Sequence, residues 1–358
     1  MSTFCRTYYC FRERLCPFLY RASKPQRENL CLLTFGLFAA CHTQLPRIAA
    51  TLPLFGGIAS AVQRMERLLK NQAVDPVVLY EPIARFLLSG FAGSQVRLIL
   101  DATQINNRSH MLFVAVAYRH RALPLAWLML TKNSTSSTFA QQKRLLDRVA
   151  KLLPANTEVI LLGDREYGTV ALIRHCLARP WHFCLRVRKN RSLIWSQEEA
   201  RQVHFLPLKR GKRLFISDVR LPELADQPIQ LACAWSQDKQ DTEPWYLLTD
   251  LPADSRSLSL YVTRCWIEEM FRDFKELGFR LETTHIRHTD RVNRLLLGIC
   301  LAYVWLLNAG VWVTKNSLRK QVDRHARRQL SYFQIGWRFL KKSLTTGSPI
   351  HCKIKIYA

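Results

Sequence analysis

The sequence predicts an α/β fold in which helices flank a mixed β-sheet. Between residues 96 and 187, β-rich runs and helical stretches follow one another in the order β-β-β-α-β-α-β. Such an order is typical of strands in one sheet with helices packed on its faces. The chain of 358 residues is 48% hydrophobic, which is enough to bury a substantial core. The preceding segment is helical in pattern, so the sheet follows a helical amino-terminal region.

That amino-terminal region comprises residues 1–92 and is rich in basic side chains. In residues 60–71 (SAVQRMERLLKN), a capping Ser60 precedes basic and apolar positions at helical spacing. A compact basic helical unit is a common format for DNA contact, and we predict that role here.

The predicted sheet elements begin at Val96. Short turns (NNRS and RHR) join three β-rich runs, and a polar linker, TKNSTSST, leads to a helix over residues 139–153. A continuous apolar strand, EVILLGD, is of the buried kind. A helix over residues 169–178 precedes the last strand, WHFCLRV. The three initial runs are VRLILDAT, HMLFVAVAYR and ALPLAWLML.

Short β-like pieces in residues 188–250, such as KRLFISDVRL and PWYLLT, predict a β-rich insertion. The final segment is a basic tail that holds eleven Lys and Arg residues against the single Asp323. The predicted domains are residues 1–92, a catalytic core of residues 93–187 and 251–314, the insertion at 188–250, and the tail at 315–358.

The formal net charge is +26, from 53 Lys and Arg against 27 Asp and Glu, with a pI near 10.1. This excess predicts a polyanionic partner, either nucleic acid or an anionic membrane surface. The eleven cysteines are odd in number and include no Cys-x-x-Cys pair. Reduced thiols buried in a cytosolic protein are therefore favoured over disulfides or a metal site.

Two apolar runs raise the question of a membrane. Residues 30–41 (LCLLTFGLFAAC) follow a basic leader but lack a clean small-x-small cleavage site, which argues against export. Residues 295–314 (LLLGICLAYVWLLNAGVWVT) are long enough to cross a bilayer. Their composition allows either a membrane helix or a helix buried in a large core.

Residues 261–275 (YVTRCWIEEMFRDFK) predict a helix with three faces. At about 100° per residue, Tyr261, Arg264, Glu268 and Lys275 share an arc of about 60°. The alternative is that these charges form weak surface ion pairs at i,i+4 spacing. A core-facing stripe comprises Trp266, Ile267, Met270, Phe271 and Phe274, and a predicted solvent arc comprises Glu269, Asp273 and Glu276.

Two further acids end apolar runs: Asp101 follows LIL, and Asp164 follows VILLG. Strand ends at the open edge of an α/β sheet commonly carry ligand chemistry, although either Asp could instead start a turn or cap a helix. With Glu268, three carboxylates from three elements could bind two Mg²⁺ ions, with Mn²⁺ as an alternative. Cations on the Glu268 face would then hold phosphates.

Four motifs carry a resemblance to a known family. The spacing Y-x2-R-x3-E-x6-K in residues 261–275 resembles the YREK signature of the DDE transposases of the insertion-sequence-four family. LDAT around Asp101 and GDREY around Asp164 are similar to that family's first two acidic motifs. WYLLT, which begins at Trp245, is similar to its short strand before the signature. The four motifs also agree in order.

The resemblance implies a ribonuclease H-like core with a β insertion between the second Asp and the Glu. It implies that Asp101, Asp164 and Glu268 are the metal ligands, and that residues 295–314 form a core helix. It also implies that Trp245 holds a flipped base during formation of a DNA hairpin, although Trp245 could instead be a Trp of the core or its rim.

The expected function is that of a DNA transposase that cleaves the ends of its element and joins them to target DNA. Its partners would be double-stranded terminal repeats and target DNA, bound by a homodimer. The expected location is the cytoplasm, at the nucleoid when bound to DNA, without a membrane. Tyr261, Arg264 and Lys275 are predicted to contact DNA, and Arg186, Arg188 and Lys189 are weaker candidates.

Three alternatives stay open at this point. The chain could be a DNA-binding protein derived from a transposase, with its chemistry lost. It could be a metal-dependent nuclease without strand transfer, or a membrane-associated basic protein. The presence of all three acids argues against the first alternative.

Overall fold

The computed structural model describes residues 3–52, 57–106, 109–130, 136–195, 199–235, 243–348 and 354–355. Part of the predicted NNRS turn and of the TKNSTSST linker lies outside these ranges. The strands are β1 Val96–Asn106, β2 Ser109–Tyr118, β3 Arg121–Met129, β4 Val159–Gly163, β5 His182–Arg186, β6 Ser192–Leu193, β7 Arg201–Gln202, β8 Arg213–Leu221, β9 Leu224–Ala234 and β10 Trp245–Thr249. The α-helices are α1 Thr3–Leu15, α2 Lys24–Ala40, α3 Leu45–Ala49, α4 Ile58–Lys70, α5 Pro76–Ser89, α6 Phe139–Ala150, α7 Val170–Leu177, α8 Ser255–Val262, α9 Cys265–Phe274, α10 Thr289–Lys315 and α11 Tyr332–Thr346.

Eight of these strands form one mixed sheet in the order β3-β2-β1-β4-β5-β10-β9-β8. Strands β1, β4 and β5 are parallel neighbours, whereas β10 runs antiparallel to β5. Helices α6, α7 and α8 pack against the sheet. The predicted fold class, a large mixed sheet flanked by helices, is confirmed.

The β-rich insertion mostly extends this sheet. Antiparallel pairing joins β10 to β9 and β9 to β8, so the insertion adds strands beyond β5. Within the described residues, only β6 and β7 pair outside the main sheet, as a two-stranded ladder. Most of the insertion therefore continues the main sheet, and β6 and β7 form a small separate ladder.

The chain separates into two compact units. A helical unit comprises residues 1–90, 105–109 and 271–358, and a sheet unit comprises residues 91–104 and 110–270. The first division lies near the predicted boundary at residue 92, whereas the division at 270 falls inside the predicted core segment. The four predicted domains stay a prediction.

Helix α10 is the central element of the helical unit and packs against α2, α4, α5 and α11. Glycines allow α10 and α11 to meet backbone to backbone. A Cβ at Gly310 would lie 1.7 Å from the carbonyl oxygen of Tyr332, and one at Gly336 would lie 1.9 Å from that of Leu306. In the most apolar stretch of 18 residues in α10, 94% of the residues are buried inside the protein. The apolar run is therefore a core helix, as the resemblance implies.

The cysteines of the described part of the chain are all free thiols. Cys31, Cys41, Cys176, Cys184, Cys233 and Cys300 are buried, and the other four are half-buried. Cys352 lies outside the described residues. Six of these ten positions therefore agree with the predicted burial, whereas the other four are not core residues.

The prediction of one helix over residues 261–275 was wrong. Helix α8 ends at Val262 and α9 begins at Cys265, with a tight turn between them. The amide of Arg264 donates to the carbonyl of Tyr261 at 2.9 Å, an i to i+3 bond that tightens the chain. Val262 and Thr263 are β-branched, which weakens helix propensity at this point. The single arc computed for a continuous helix therefore does not apply.

The predicted solvent arc of this segment needs a correction as well. Asp273 is fully buried, whereas Glu276 is exposed as predicted. After α9 the chain folds back onto Asp273, and the amide of Phe279 donates to the carbonyl oxygen of Asp273 at 3.1 Å. Burial at this position depends on that return, which helical spacing cannot reveal. In the predicted core stripe, Trp266 is half-buried and the other four residues are buried.

Candidate active site

The register of two parallel strands places two acids side by side. Leu100 of β1 pairs with Gly163 of β4, so Asp101 and Asp164 are the next residues on neighbouring strands. Neighbouring strands lie about 4.8 Å apart. Asp164 follows the end of β4 as predicted. Asp101 does not end its strand, because β1 continues to Asn106, but it lies where the parallel pairing with β4 stops.

Asp101 is buried and strongly affected by neighbouring charges. It is 9% exposed, its Oδ1 accepts the amide of Ala102 at 2.8 Å, and its Oδ2 lies 3.1 Å from Nη1 of Arg264. Burial raises the pKa of Asp101 to about 7; Arg264 opposes this shift, whereas the charges of Asp164 and Glu268 add to it. The three acids therefore share one electrostatic environment.

A tight turn holds Asp164. Its Oδ1 accepts the amide of Glu166 at 2.8 Å, and its carbonyl accepts the amide of Tyr167 at 2.9 Å. Gly168 closes the turn against β5, since a Cβ there would lie 2.2 Å from the carbonyl oxygen of Arg186. The turn can approach the strand only because residue 168 has no side chain.

Arg264 connects two of the acids. Its Nη1 donates to Asp101, and its Nη2 donates to Oε1 of Glu268 on α9. The Arg264 side chain is 13% exposed, whereas that of Glu268 is 49% exposed. The turn between α8 and α9 therefore places a buried guanidinium between a buried and an exposed carboxylate.

An aromatic pair lies beside this guanidinium. Tyr261 is 2% exposed, and its ring centroid is 6.0 Å from the guanidinium carbon of Arg264. Burial raises the pKa of Tyr261, so its hydroxyl keeps its proton. Trp245, at the start of β10, is half-buried and meets the Tyr261 ring edge-on, with centroids 5.0 Å apart.

The other predicted DNA contacts occupy different environments. Arg186 lies in β5 with its side chain 16% exposed, and its Nη2 is 3.2 Å from Oε1 of Glu243. Arg188 and Lys189 follow β5 and are exposed. Lys275 lies in the helical unit, one residue after α9, with its Nζ 3.5 Å from Oε1 of Glu282.

Glu243 is a residue that the sequence did not indicate. Its Oε1 also accepts a hydrogen bond from Arg165 at 2.8 Å, so one carboxylate holds two arginines near the Asp164 turn. Glu243 precedes β10 without any motif around it. Glu166 was identifiable from the GDREY motif; its Oε1 accepts the amide of Ser137 at 3.1 Å.

Three carboxylates supply the hard oxygen donors that Mg²⁺ or Mn²⁺ prefers. Among the described residues, no group of three or more His, Cys, Asp or Glu side chains is arranged to hold a metal ion. Arg264 contacts two of the predicted ligands instead. The residue types fit a divalent cation, and in this arrangement a guanidinium neutralises part of their charge.

A comparison with protein families supports the resemblance to DDE transposases. A family model described as a transposase DDE domain matches residues 93–305, more than half of the chain, and this range includes all three acids. A cryo-EM structure of a piggyBac transposase synaptic complex with hairpin DNA is 13% identical; the alignment covers 96% of this chain and 78% of that chain, with a TM-score of 0.48. No curated protein matches the chain.

Proposed function

Because the chain belongs to the transposase DDE domain family, a family of DNA-cleaving enzymes, we propose that it is a transposase of the insertion-sequence-four group. It cleaves the ends of its own element and joins them to target DNA. The observation that carries this proposal is that Asp101 in β1 lies beside the end of the parallel strand β4, which Asp164 follows, with Arg264 joining Asp101 to Glu268.

The enzymes of this family use divalent metal ions. In our proposal Asp101, Asp164 and Glu268 hold two Mg²⁺ ions, with Mn²⁺ as an alternative. When bound, these ions supply activation of the attacking oxygen and stabilisation of the leaving oxygen. The partial exposure of Glu268 leaves room for its side chain to exchange Arg264 for a cation.

The reaction is a pair of phosphoryl transfers. Water attacks a phosphodiester at the end of the element, and the bond to the 3′ oxygen breaks to leave a free 3′ hydroxyl. That hydroxyl then attacks a phosphodiester of the target, so each broken P–O bond is replaced by a new one and no external energy source is needed. The carboxylates place the attacking and leaving oxygens in line with phosphorus.

The remaining candidates position the DNA. Arg264 and Lys275 contact phosphates as charged donors, and Tyr261 contributes its protonated hydroxyl. Trp245 stacks on a base flipped out of the duplex, which supports a hairpin intermediate at the ends of the element. Arg188 and Lys189, both exposed, are additional phosphate contacts.

The proposed partners follow from the charge and from the reaction. A net charge of +26 suits double-stranded terminal repeats and target DNA. Two ends must be held together for joining, so the DNA complex contains at least a homodimer. The protein acts in the cytoplasm, at the nucleoid.

The test is an assay with DNA that ends in the inverted repeats flanking the gene. Purified protein, Mg²⁺ and a plasmid target should give nicks at the 3′ ends of the repeats, followed by joined products. Nicks without joined products, even from pre-cleaved ends, would identify a nuclease without strand transfer. Binding without nicks would identify a DNA-binding derivative.

A further inference from the structure

The segment between α10 and α11, residues 316–331, contains five Lys and Arg residues, one His and one acid. We refer to it as the basic loop. It belongs to the helical unit, whereas the three catalytic acids of the proposal lie in the sheet unit. The proposed chemistry assigns it no role.

The single acid of the basic loop does not neutralise its surface. The Asp323 side chain is 0% exposed. Its Oδ2 accepts the amides of Gln329 at 3.0 Å and Leu330 at 3.3 Å, and it lies 3.2 Å from Nη1 of Arg319. Although burial alone would raise its pKa, these hydrogen bonds and Arg319 lower the pKa of Asp323 below its usual value. The carboxylate is therefore ionised and binds the loop's own backbone.

Arg319 completes this internal framework. Its guanidinium donates to the carbonyls of His325 at 3.0 Å and Ala326 at 2.9 Å, besides its contact with Asp323. The Arg319 side chain is only 16% exposed. One cation and one anion thus fix the backbone of the loop, and both side chains are largely or fully buried.

The charges that do face solvent are all positive. Lys320, Arg324, Arg327 and Arg328 are exposed, as is His325. Arg328 is held in place, since its Nη1 donates to the carbonyl of Leu330 at 2.8 Å and its guanidinium carbon lies 4.3 Å from the Tyr332 ring centroid. A rigid loop that displays cations pays less entropy on binding than a flexible tail would.

We propose that the basic loop is a binding surface for the phosphate backbone of duplex DNA. Arg324, Arg327 and Lys320 contact phosphates, while Asp323 and Arg319 fix the shape of the surface. The predominance of arginine supports this choice, because a planar guanidinium matches phosphate oxygens in pairs. The choice of duplex DNA as the polyanion rests on the proposed function.

The test measures DNA affinity against salt concentration for the double variant Arg324→Ala/Arg327→Ala. Each phosphate contact contributes about 0.9 to the slope of log affinity against log salt, so the slope should fall by about 1.8. The matched control is Arg201→Ala/Arg256→Ala, which removes two exposed arginines already paired with Glu199 and Asp254. This control should change the slope much less.

A second measurement addresses the framework. Asp323→Ala should speed tryptic cleavage at Arg324 and Arg327 and weaken DNA binding, while duplex DNA should slow that cleavage in the wild-type protein. If the Arg324→Ala/Arg327→Ala variant behaves like its control and DNA gives no protection, the inference is wrong.

Two other outcomes are distinguishable. If the double variant loses binding to phosphatidylserine vesicles while its DNA binding is unchanged, the loop faces a membrane and the inference is overturned. If the wild-type protein binds no duplex at all, both this inference and the proposed function fail. Wild-type DNA binding with an unaffected double variant overturns the inference alone.

Discussion

Arg264 contributes to the candidate site through its contacts with Asp101 and Glu268. Burial raises the pKa of Asp101 to about 7, and repulsion by the carboxylates of Asp164 and Glu268 adds to this shift. The buried guanidinium of Arg264 lowers the pKa of Asp101 again and so offsets part of the effect of burial and repulsion. The same group can donate to a phosphate when the carboxylates bind cations, because it has five N–H donors.

Replacement of Arg264 tests this double role. Arg264→Ala should reduce joining of pre-cleaved ends about 100-fold or more, since loss of one donor to a reacting group commonly has that effect. Arg264→Lys should recover only part of the activity, because an ammonium cannot bind two carboxylates in the same fixed geometry. The measurement is the rate of joining, with thermal unfolding as the control. A large drop in melting temperature for Arg264→Ala would indicate a structural ion pair instead.

Trp245 supports a second prediction at this scale. Its half-buried ring meets Tyr261 edge-on, so one part of the indole is fixed while another part faces solvent. Trp245→Ala should leave first-strand nicking unchanged and reduce hairpin formation about 10-fold, which corresponds to the roughly 1–3 kcal/mol of stacking on one base. Trp245→Phe should retain most of the activity. An equal loss in both steps would mean that Trp245 only supports Tyr261.

Sequence reasoning proposed Asp101 and Asp164 because each interrupts or follows an apolar strand, and it proposed Glu268 from the spacing of charged residues around it. It could not find the pairing of Glu243 with Arg165 and Arg186, since this contact joins distant parts of the chain without a local pattern. The interpretation of Arg186 as a DNA contact illustrates the same difficulty. Its side chain is mostly buried against an acid, which no periodicity could indicate.

Among the elements, the strands of the sheet were predictable because buried parallel strands are continuous apolar runs. The break between α8 and α9 was not, since the segment keeps helical spacing on both sides of the i to i+3 hydrogen bonds that form it. The helical spacing of residues 261–275 is compatible with one continuous helix and with two helices separated by a turn. The break places Arg264 in the turn, directly before the first residue of α9.

The turn after β4 supports a prediction on the scale of elements. Gly168→Ala would place a methyl group 2.2 Å from the carbonyl oxygen of Arg186, so the Asp164 turn must move away from β5. We expect a loss of about 1–3 kcal/mol in the free energy of unfolding, typical of overpacking, together with a loss of cleavage. Urea unfolding and a cleavage assay measure the two effects.

The comparison variant is Thr169→Ala at the neighbouring position. It removes the cap of α7, where the Thr169 hydroxyl accepts the amide of Leu172 at 3.3 Å, and should cost about 1 kcal/mol of stability. Cleavage should survive in this variant under conditions where it is folded. If Gly168→Ala keeps full cleavage activity, the position of the turn is not critical for Asp164.

At the scale of the whole molecule, composition predicted a basic protein with a large core. The folded chain divides into two compact units. The length and hydropathy of α10 did not decide between a membrane helix and a core helix. Its packing identifies α10 as a core helix, because α2, α4, α5 and α11 all pack against it. Such coverage depends on segments far apart in the chain, so a hydropathy window cannot detect it.

The central claim is that three acids from separate elements act as one catalytic set. The most direct measurement is cleavage of terminal-repeat DNA by Asp101→Asn, Asp164→Asn and Glu268→Gln, with Glu276→Gln as the exposed control on the same segment. Each of the three variants should lose cleavage by at least about 1,000-fold while binding the DNA normally, and double variants should be no worse than single ones. The control should cleave at the wild-type rate. Near-wild-type cleavage by any one of the three folded variants would contradict the account.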